Sequence, residues 1–369
     1  MTTFVDTSVL LSGTEADDQD PVVVVVRSAQ PMLREAMGEE AGSAFESAFT
    51  EKYLQKNYCG VFDLLLSNSE IVFSKLSAEK SGEVVVRIAK TAEGYFEVVL
   101  SVLSKLESVD DVSARVNAFT AKMAIRTESV PVDGLKLRLL ISLFNIFSVR
   151  TQLRLTVAKA LCEFAKGNAK SEATVFPLVR DVDVWVAEFG WEKEVGGLFG
   201  LVADIAPENE KIKYMRLGVL AGASAEQLIV SALSLPSVVS FVELEGIAIV
   251  DPDLAKCMQI LTSGSFAEME QFIKVAPGSL CAKHGIDTSA LLEKMRVISV
   301  GQLRESSIAE IGKKLNSPDP LALVVKALKL GVVQGAINEV EGRIEVRAAL
   351  PRTSAEAVKI NQELNRMNK

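Results

Sequence analysis

A single histidine, His284, stands among the 369 residues. Ser-His-Asp or Cys-His catalysis would have to run through that one imidazole, within Cys281-Ala282-Lys283-His284-Gly285. A metalloprotease centre built on paired histidines is excluded. A zinc site on Cys281 and His284 lacks two further ligands at suitable spacing, so His284 reads as a loop residue between helices. The four cysteines, Cys59, Cys162, Cys257 and Cys281, are scattered and form no Cys-x-x-Cys pair. Reduced, buried thiols of a cytosolic protein are expected. Long apolar runs are missing too. The longest, Leu139 to Phe147, is broken by Ser142 and Asn145 and falls short of the roughly 18 residues that a membrane-spanning helix needs. No basic residue precedes Arg27, which argues against a signal peptide. Positive charge is also scarce. Residues 255–369 carry 16 Lys+Arg against 12 Asp+Glu, while the rest hold 24 against 36, for a formal net charge of −8. An acidic body with a mildly basic end argues against coating nucleic acid by bulk electrostatics and leaves room for a local RNA contact near the C-terminus.

Other chemistry is looked for and not found. Gly196-Gly197 and Gly200 have no following Gly-Lys-Ser/Thr, so they read as small residues that let helices beside Trp191 and Phe199 approach closely. Gly222-Ala223-Ser224-Ala225-Glu226 lacks the last glycine of a nucleophile elbow and reads as a helix start at Ser224. Asp181/Asp183 and Glu192/Glu194, each spaced two apart, read as solvated charge. No catalytic, cofactor-binding or metal-ligating residue is assigned, and the chain is not read as an enzyme.

What the sequence does contain is helix after helix. Residues 1–30 are poorly defined, with Val22 to Val26 favouring a strand on propensity alone. From 31 to 250 apolar residues recur at helical spacing: Phe45, Phe49 and Tyr53, then Val61, Leu64 and Leu65, then Ile88, Tyr95, Val98, Val99, Val102 and Leu103. Breaks fall at Asn57, Ser81-Gly82, Asp110-Asp111, Pro131, Gly167, Pro177, Pro207 and Pro236. Helical pairs without strands predict an α-solenoid. Phe144, Phe147, Leu153, Val157 and Leu161 read as its packing stripe. Leu254 to Ala276 makes a last helical pair, with Ser265 and Glu268 at capping-box spacing. A connector helix runs from Thr288 to Leu303.

The pattern changes between Glu305 and Leu350. Ser307 and Glu310 have capping-box spacing ahead of Ile308, Ile311 and Leu315. Asn316-Ser317-Pro318 stops that helix, because the residue before proline is pushed out of the α region. Asp319-Pro320 starts another as N-cap and first-turn proline, with Leu321, Val324, Val325 and Leu328 on its apolar face and Gly331 behind it. Val333, Gly335 and Ile337 then alternate, Glu341-Gly342 turns, and Ile344, Val346 and Ala348 alternate again. Two helices and a hairpin predict a winged helix. Its second helix has Lys326 and Lys329 but no Arg, Asn or Gln to read a base edge, so packing against protein is expected rather than sequence-specific DNA binding.

A helical-repeat body running into a winged helix resembles the PCI-domain family. Within it, Leu137-Arg138-Leu139-Leu140-Ile141-Ser142-Leu143-Phe144-Asn145 resembles the LRL-x-x-L-x-x-LFN helix of the family of M subunits of eukaryotic translation initiation factor 3. Val182-Asp183-Val184-Trp185-Val186 and Ile229-Val230-Ser231-Ala232-Leu233 follow in the matching order, with Val184 where the family carries lysine. The resemblance covers roughly residues 110 to 369. It implies a mainly α fold: a right-handed α-solenoid (31–250), a PCI hairpin, connector and winged helix (251–350) and a tail helix (351–369). It also implies a non-catalytic, cytoplasmic scaffold subunit without cofactor. Partners would be other PCI subunits, reached through the winged helix and the tail, and the small ribosomal subunit. A signalosome or proteasome-lid scaffold and a winged-helix nucleic-acid-binding regulator are the alternatives. Arg343, Ile344, Glu345, Val346, Arg347 and Ala348 are the expected subunit interface, an edge strand with Ile344, Val346 and Ala348 turned inward.

Overall fold

The structure, a computed structural model, describes residues 30–358 apart from 32, 36, 79–82, 192–194, 196, 276–278, 304–305 and 339–340, and without the side chains of 83–85, 279 and 281. The expected strand at Val22–Val26, the break at Ser81-Gly82, the Glu192/Glu194 pair, Gly196 and the tail beyond Val358 lie outside the described residues. The chain divides into two compact units between Trp191 and Glu192. Among the described residues it is mainly helical, with one two-stranded sheet near the C-terminus. No helix among the described residues is long and apolar enough to cross a membrane.

The first unit holds α1 (Glu39–Leu54), α2 (Tyr58–Ala78), α3 (Glu83–Leu103), α4 (Val109–Met123), α5 (Val130–Ile146), α6 (Leu153–Ala165), α7 (Ala169–Val179) and α8 (Val182–Phe189). Their ends follow local chemistry. The Ser108 hydroxyl accepts the Asp111 amide at the start of α4, Asn168 does the same for Ser171 in α7, and Gly190 at φ 70 closes α8. Two expected breaks move. Asp110 and Asp111 sit inside the first turn of α4, where acidic side chains suit the positive helix end. Pro177 lies within α7, which ends two residues after it.

The apolar spacings become the core. Phe45 stacks towards Phe49 at 6.4 Å, and the Tyr95 hydroxyl, fully buried, donates to Leu65 O at 2.6 Å. Leu139, Leu140, Leu143 and Phe144 of α5 are buried together with Val157 and Leu161 of α6, while Phe147 and Leu153 are half-buried. Arg154 joins this group. Its guanidinium lies 4.0 Å from the Phe144 ring and 5.0 Å from the Trp185 ring and donates to Phe147 O at 2.6 Å. A planar cation stacked on two aromatic faces ties α5, α6 and α8 together.

The second unit holds α9 (Leu198–Ile205), α10 (Glu208–Leu220), α11 (Ala225–Ser234), α12 (Pro252–Ser263), α13 (Phe266–Val275), α14 (Ser279–His284), α15 (Thr288–Val300), α16 (Ile308–Lys314) and α17 (Pro320–Lys329), then β1 (Val333–Asn338) and β2 (Arg343–Ala349). The capping box at Ser265 is formed: Ser265 N–H donates to Glu268 Oε2 at 2.6 Å and Glu268 N–H to Ser265 Oγ at 3.3 Å. Gly197 and Gly200 do not mediate a close helix approach, because a Cβ on either would meet open space. They line a shallow groove of this unit with Leu201, Met215 and Gly218. Cys162 and Cys257 are buried free thiols, whereas Cys59 is half-buried.

Candidate functional site

The C-terminal helix–helix–hairpin is built from α16, α17, β1 and β2. At its entrance Ser307 Oγ accepts the Glu310 amide at 3.2 Å and Glu310 Oε2 accepts the Ser307 amide at 2.9 Å, which satisfies two orphan donors of α16. Asn316 takes φ 47, and the Ser317 amide reaches back to Gly312 O at 3.0 Å, so the chain turns before the proline. Asp319 Oδ1 accepts from the Ala322 amide at 2.9 Å and starts α17. Behind α17, Gly331 at φ 72 lets the Val332 amide reach Ala327 O at 2.9 Å, closing a Schellman motif. Gly312 is fixed by crowding, since a Cβ there would lie 2.4 Å from Pro320 Cγ.

The buried face of α17 is rotated from the expected one. Leu323, Val324 and Ala327 are buried, Leu328 is half-buried and Leu321 is 44% exposed. The helix is clasped by α15 and α16 on one side, so residues one position away from the predicted stripe turn inward. Lys326 points back to Glu293 of α15 at 3.2 Å, and Lys329 is exposed. The helix therefore offers little cation to a phosphate backbone.

The hairpin differs from plain alternation. Asn338 opposes Arg343, Ile337 opposes Ile344, Ala336 opposes Glu345 and Gly335 opposes Val346, but Gln334 opposes Ala348. Arg347 is thus an extra, bulged residue, and side chains beyond it swap faces. Ile344 is buried and Val346 half-buried as expected, whereas Ala348 is exposed and Ala349 takes the inward place. Gly335 sits where the strands cross closely, and a Cβ there would be 2.1 Å from Glu345 O. Arg343, Glu345 and Arg347 are exposed, with Arg343 paired to Glu341 and Glu345 receiving Asn338 Nδ2 at 3.3 Å.

Nor is β2 an edge along its whole length. Ser307 bridges to Arg343, and Ile308 N–H donates to Gly342 O at 2.8 Å. This is the widely spaced type of antiparallel pair, so Arg343 and Glu345 turn their amides towards β1 while Ile344 and Val346 turn theirs outward. Among the described residues, only the Arg343 end of that outer side is covered.

Arg352, just beyond β2, had no signal in the sequence because its partners lie 88–92 residues away. Its Nε donates to Leu261 O at 3.1 Å, Nη1 to Gly264 O at 3.0 Å, and Nη2 to Ile260 O at 3.1 Å and Leu261 O at 2.5 Å. These are carbonyls at the end of α12; Ile260 O keeps its helical partner, the Gly264 amide at 2.9 Å, and takes the arginine as a second donor. Burial pulls the guanidinium below its ordinary value, with Glu356 opposing. Ser354 N–H adds a bond to Glu245 at 2.9 Å.

Two further groups fill the unit. His284 ends α14 rather than lying in a loop, with its ring nitrogens 3.4 Å from Asp251 and 3.3 Å from Glu226. Asp251 is held below the usual carboxylate range by the Leu254 and Asp253 amides it caps and by His284 and Lys283. Among the described residues no three ligands are grouped to hold a metal. Lys294 is buried on α15 and donates to Ala232 O at 2.6 Å, and burial lowers its ammonium to about 7, partly offset by Cys257. An unfolded lysine binds its proton up to about 10.4, so folding is penalised below about 7 and stability rises with pH between those values. Melting in carbon-dioxide-free buffer is expected to show a gain of about 2 kcal/mol from pH 7 to 9 that is absent in Lys294→Met.

The chain is 24% identical over 284 residues to eukaryotic translation initiation factor 3 subunit M of Dictyostelium discoideum, covering 69% of this chain and 66% of that protein. It is 25% identical over 279 residues to the same subunit of Coccidioides immitis, covering 66% and 59%. The chain is a distant relative of initiation factor 3 subunit M. The match thus spans less than two thirds of each relative's own length. No protein-family profile matches the chain. The relationship to subunit M agrees with the order of the LFN helix, the Trp185 segment and the C-terminal unit, whose side chains serve packing.

Proposed function

We propose that the chain is a non-catalytic scaffold subunit of eukaryotic translation initiation factor 3, acting in the cytoplasm. It would join other PCI subunits and support pre-initiation complex formation and mRNA recruitment on the small ribosomal subunit. Residues 31–250 would form a right-handed solenoid body, and 251–350 a PCI module with its winged helix, followed by the tail. The observation that carries this reading is the relationship to subunit M in two distant organisms. The geometry supports it: α17 spends its apolar face and Lys326 inside its own unit, and β2 presents charged side chains with outward amides. Purification of the tagged protein with mass spectrometry is expected to recover initiation factor subunits and small-subunit ribosomal proteins. Cullins or proteasome subunits in their place would point to another PCI scaffold. Sequence-selective duplex DNA binding lost on Lys326→Ala with Lys329→Ala would contradict the scaffold reading.

The joint would be the outer side of β2, through Arg343 to Ala348. A proline at Glu345 removes an amide that serves β1, so it tests the hairpin itself. A proline at Val346 removes an outward amide and leaves that ladder in place. Val346→Pro is expected to keep the helical circular dichroism of the chain and weaken co-purification at least about tenfold, the loss of roughly one well-placed hydrogen bond. Undiminished assembly in folded Val346→Pro would move the joint to the helical body or the tail.

A further inference from the structure

Two arginines stand where α5 passes into α6, and nothing in the N-terminal unit answers their charge. Arg150 is exposed, and its backbone amide donates to Ser148 Oγ at 3.3 Å. Arg154, half-buried in the first turn of α6, is held in place. Its guanidinium lies 4.0 Å from the Phe144 ring and 5.0 Å from the Trp185 ring, and Nη1 donates to Phe147 O at 2.6 Å. What the pair lacks is an anion. Arg34, Arg115, Arg126 and Arg138 of the same unit all lie against carboxylates, and Arg115 reaches both Asp63 and Asp111 at 2.9 Å. Among the described residues none gives a carboxylate to Arg150 or Arg154. Burial lowers the Arg154 guanidinium from its ordinary value, and no neighbouring charge acts against it. The first turn of α6 holds no acidic residue either, so two cations sit uncompensated at the positive end of a helix.

We propose that Arg150 and Arg154 form a docking point for an acidic side chain of another protein, on a segment that sets an aspartate or glutamate beside an apolar residue. Charge complementarity calls for the acid. Nε of Arg154 is enclosed and Nη1 is engaged by Phe147 O, so Nη2 is the nitrogen left to take a carboxylate oxygen. Arg150, four residues earlier, brings a second positive charge to the same anion. Two aromatic faces already order the Arg154 fork, so little side-chain freedom is lost when the acid arrives. The apolar residue answers Ile146, the last residue of α5, which is 49% exposed directly before Phe147. A nucleic acid strand is the poorer occupant. Residues 1–254 hold 24 Lys+Arg against 36 Asp+Glu, a balance that repels a long polyanion, whereas one acid on an otherwise neutral segment meets the local pair.

Trp185 reports on the site, because the Arg154 guanidinium lies over its ring. The full chain is titrated with an end-capped Leu-Glu-Glu-Leu peptide and, separately, with its Leu-Gln-Gln-Leu counterpart, and tryptophan emission is followed. The expected result is saturable binding of the acidic peptide at least ~tenfold tighter than that of the amide peptide, the effect of one charge-assisted hydrogen bond. Arg150→Gln, a change at an exposed side chain, should weaken it several-fold while circular dichroism stays unchanged. Arg154→Lys keeps the charge and loses the planar fork, and should weaken it about tenfold. No saturable binding, or equal binding of the two peptides, would overturn the proposal. Undiminished binding of the acidic peptide to folded Arg150→Gln would overturn it as well, by placing the peptide elsewhere. Oligouridine bound more tightly than the acidic peptide, and lost in Arg150→Gln, would replace the protein partner with RNA. The titration uses the chain alone, so no result depends on which complex the chain joins.

Discussion

Arg352→Ala is expected to destabilise the C-terminal unit by about 3–5 kcal/mol, the largest loss from any single polar side chain described above. Arg352 is 7% exposed, and its guanidinium donates to Ile260, Leu261 and Gly264 carbonyls at the end of α12. Hydrogen bonds from a charged donor contribute about 1.5–3 kcal/mol each, and removal leaves several carbonyls facing a void that water fills poorly. Desolvation of the cation offsets part of the sum, which keeps the estimate below a simple total. Arg352→Lys should recover less than half, because an ammonium lacks the planar fork that spans three acceptors. Denaturant unfolding with hydrogen exchange at residues 260–264 measures both. Unchanged protection there in Arg352→Ala would show that the anchor is not needed.

Leu143→Ala should cost about 2–5 kcal/mol in the N-terminal unit, from lost burial and the cavity left behind. Leu143 is fully buried on α5, next to Phe144, whose ring stands 6.0 Å from Trp185. Both tryptophans, Trp185 and Trp191, belong to this unit, so their fluorescence follows its unfolding. Half-buried Leu328 provides the contrast: Leu328→Ala should cost about 1 kcal/mol, since much of its side chain already meets water. Equal losses at the two positions would mean that the burial difference between α5 and α17 is wrong.

Local signals in the sequence carried a good part of this structure. The capping boxes at Ser307 and Ser265, the Asp319-Pro320 start and the Gly331 stop each depend on residues within a few positions, and each is formed. Periodicity placed Phe45, Phe49, Val61, Leu65 and Ile311 in the core for the same reason. What was not legible depends on distant chain or on backbone detail. The bulge at Arg347 moves Ala348 outward, and no composition rule announces it. The face of α17 is set by how α15 and α16 clasp it, which turned Leu321 out and Leu323 in. Arg352 and Lys294 look like ordinary surface cations until carbonyls 62 to 92 residues away are brought to them. At the proposed interface the residues were legible and the direction of their amides was not, because Ser307 fixes that direction by covering one end of β2.

Sedimentation of a native cytosolic extract through a density gradient, with the chain detected across the fractions, tests the scaffold assignment most directly. The account predicts that the chain migrates with the small ribosomal subunit, and in a large assembly once salt has released it from ribosomes. A chain found wholly at the position of a free 39.8 kDa protein would contradict it.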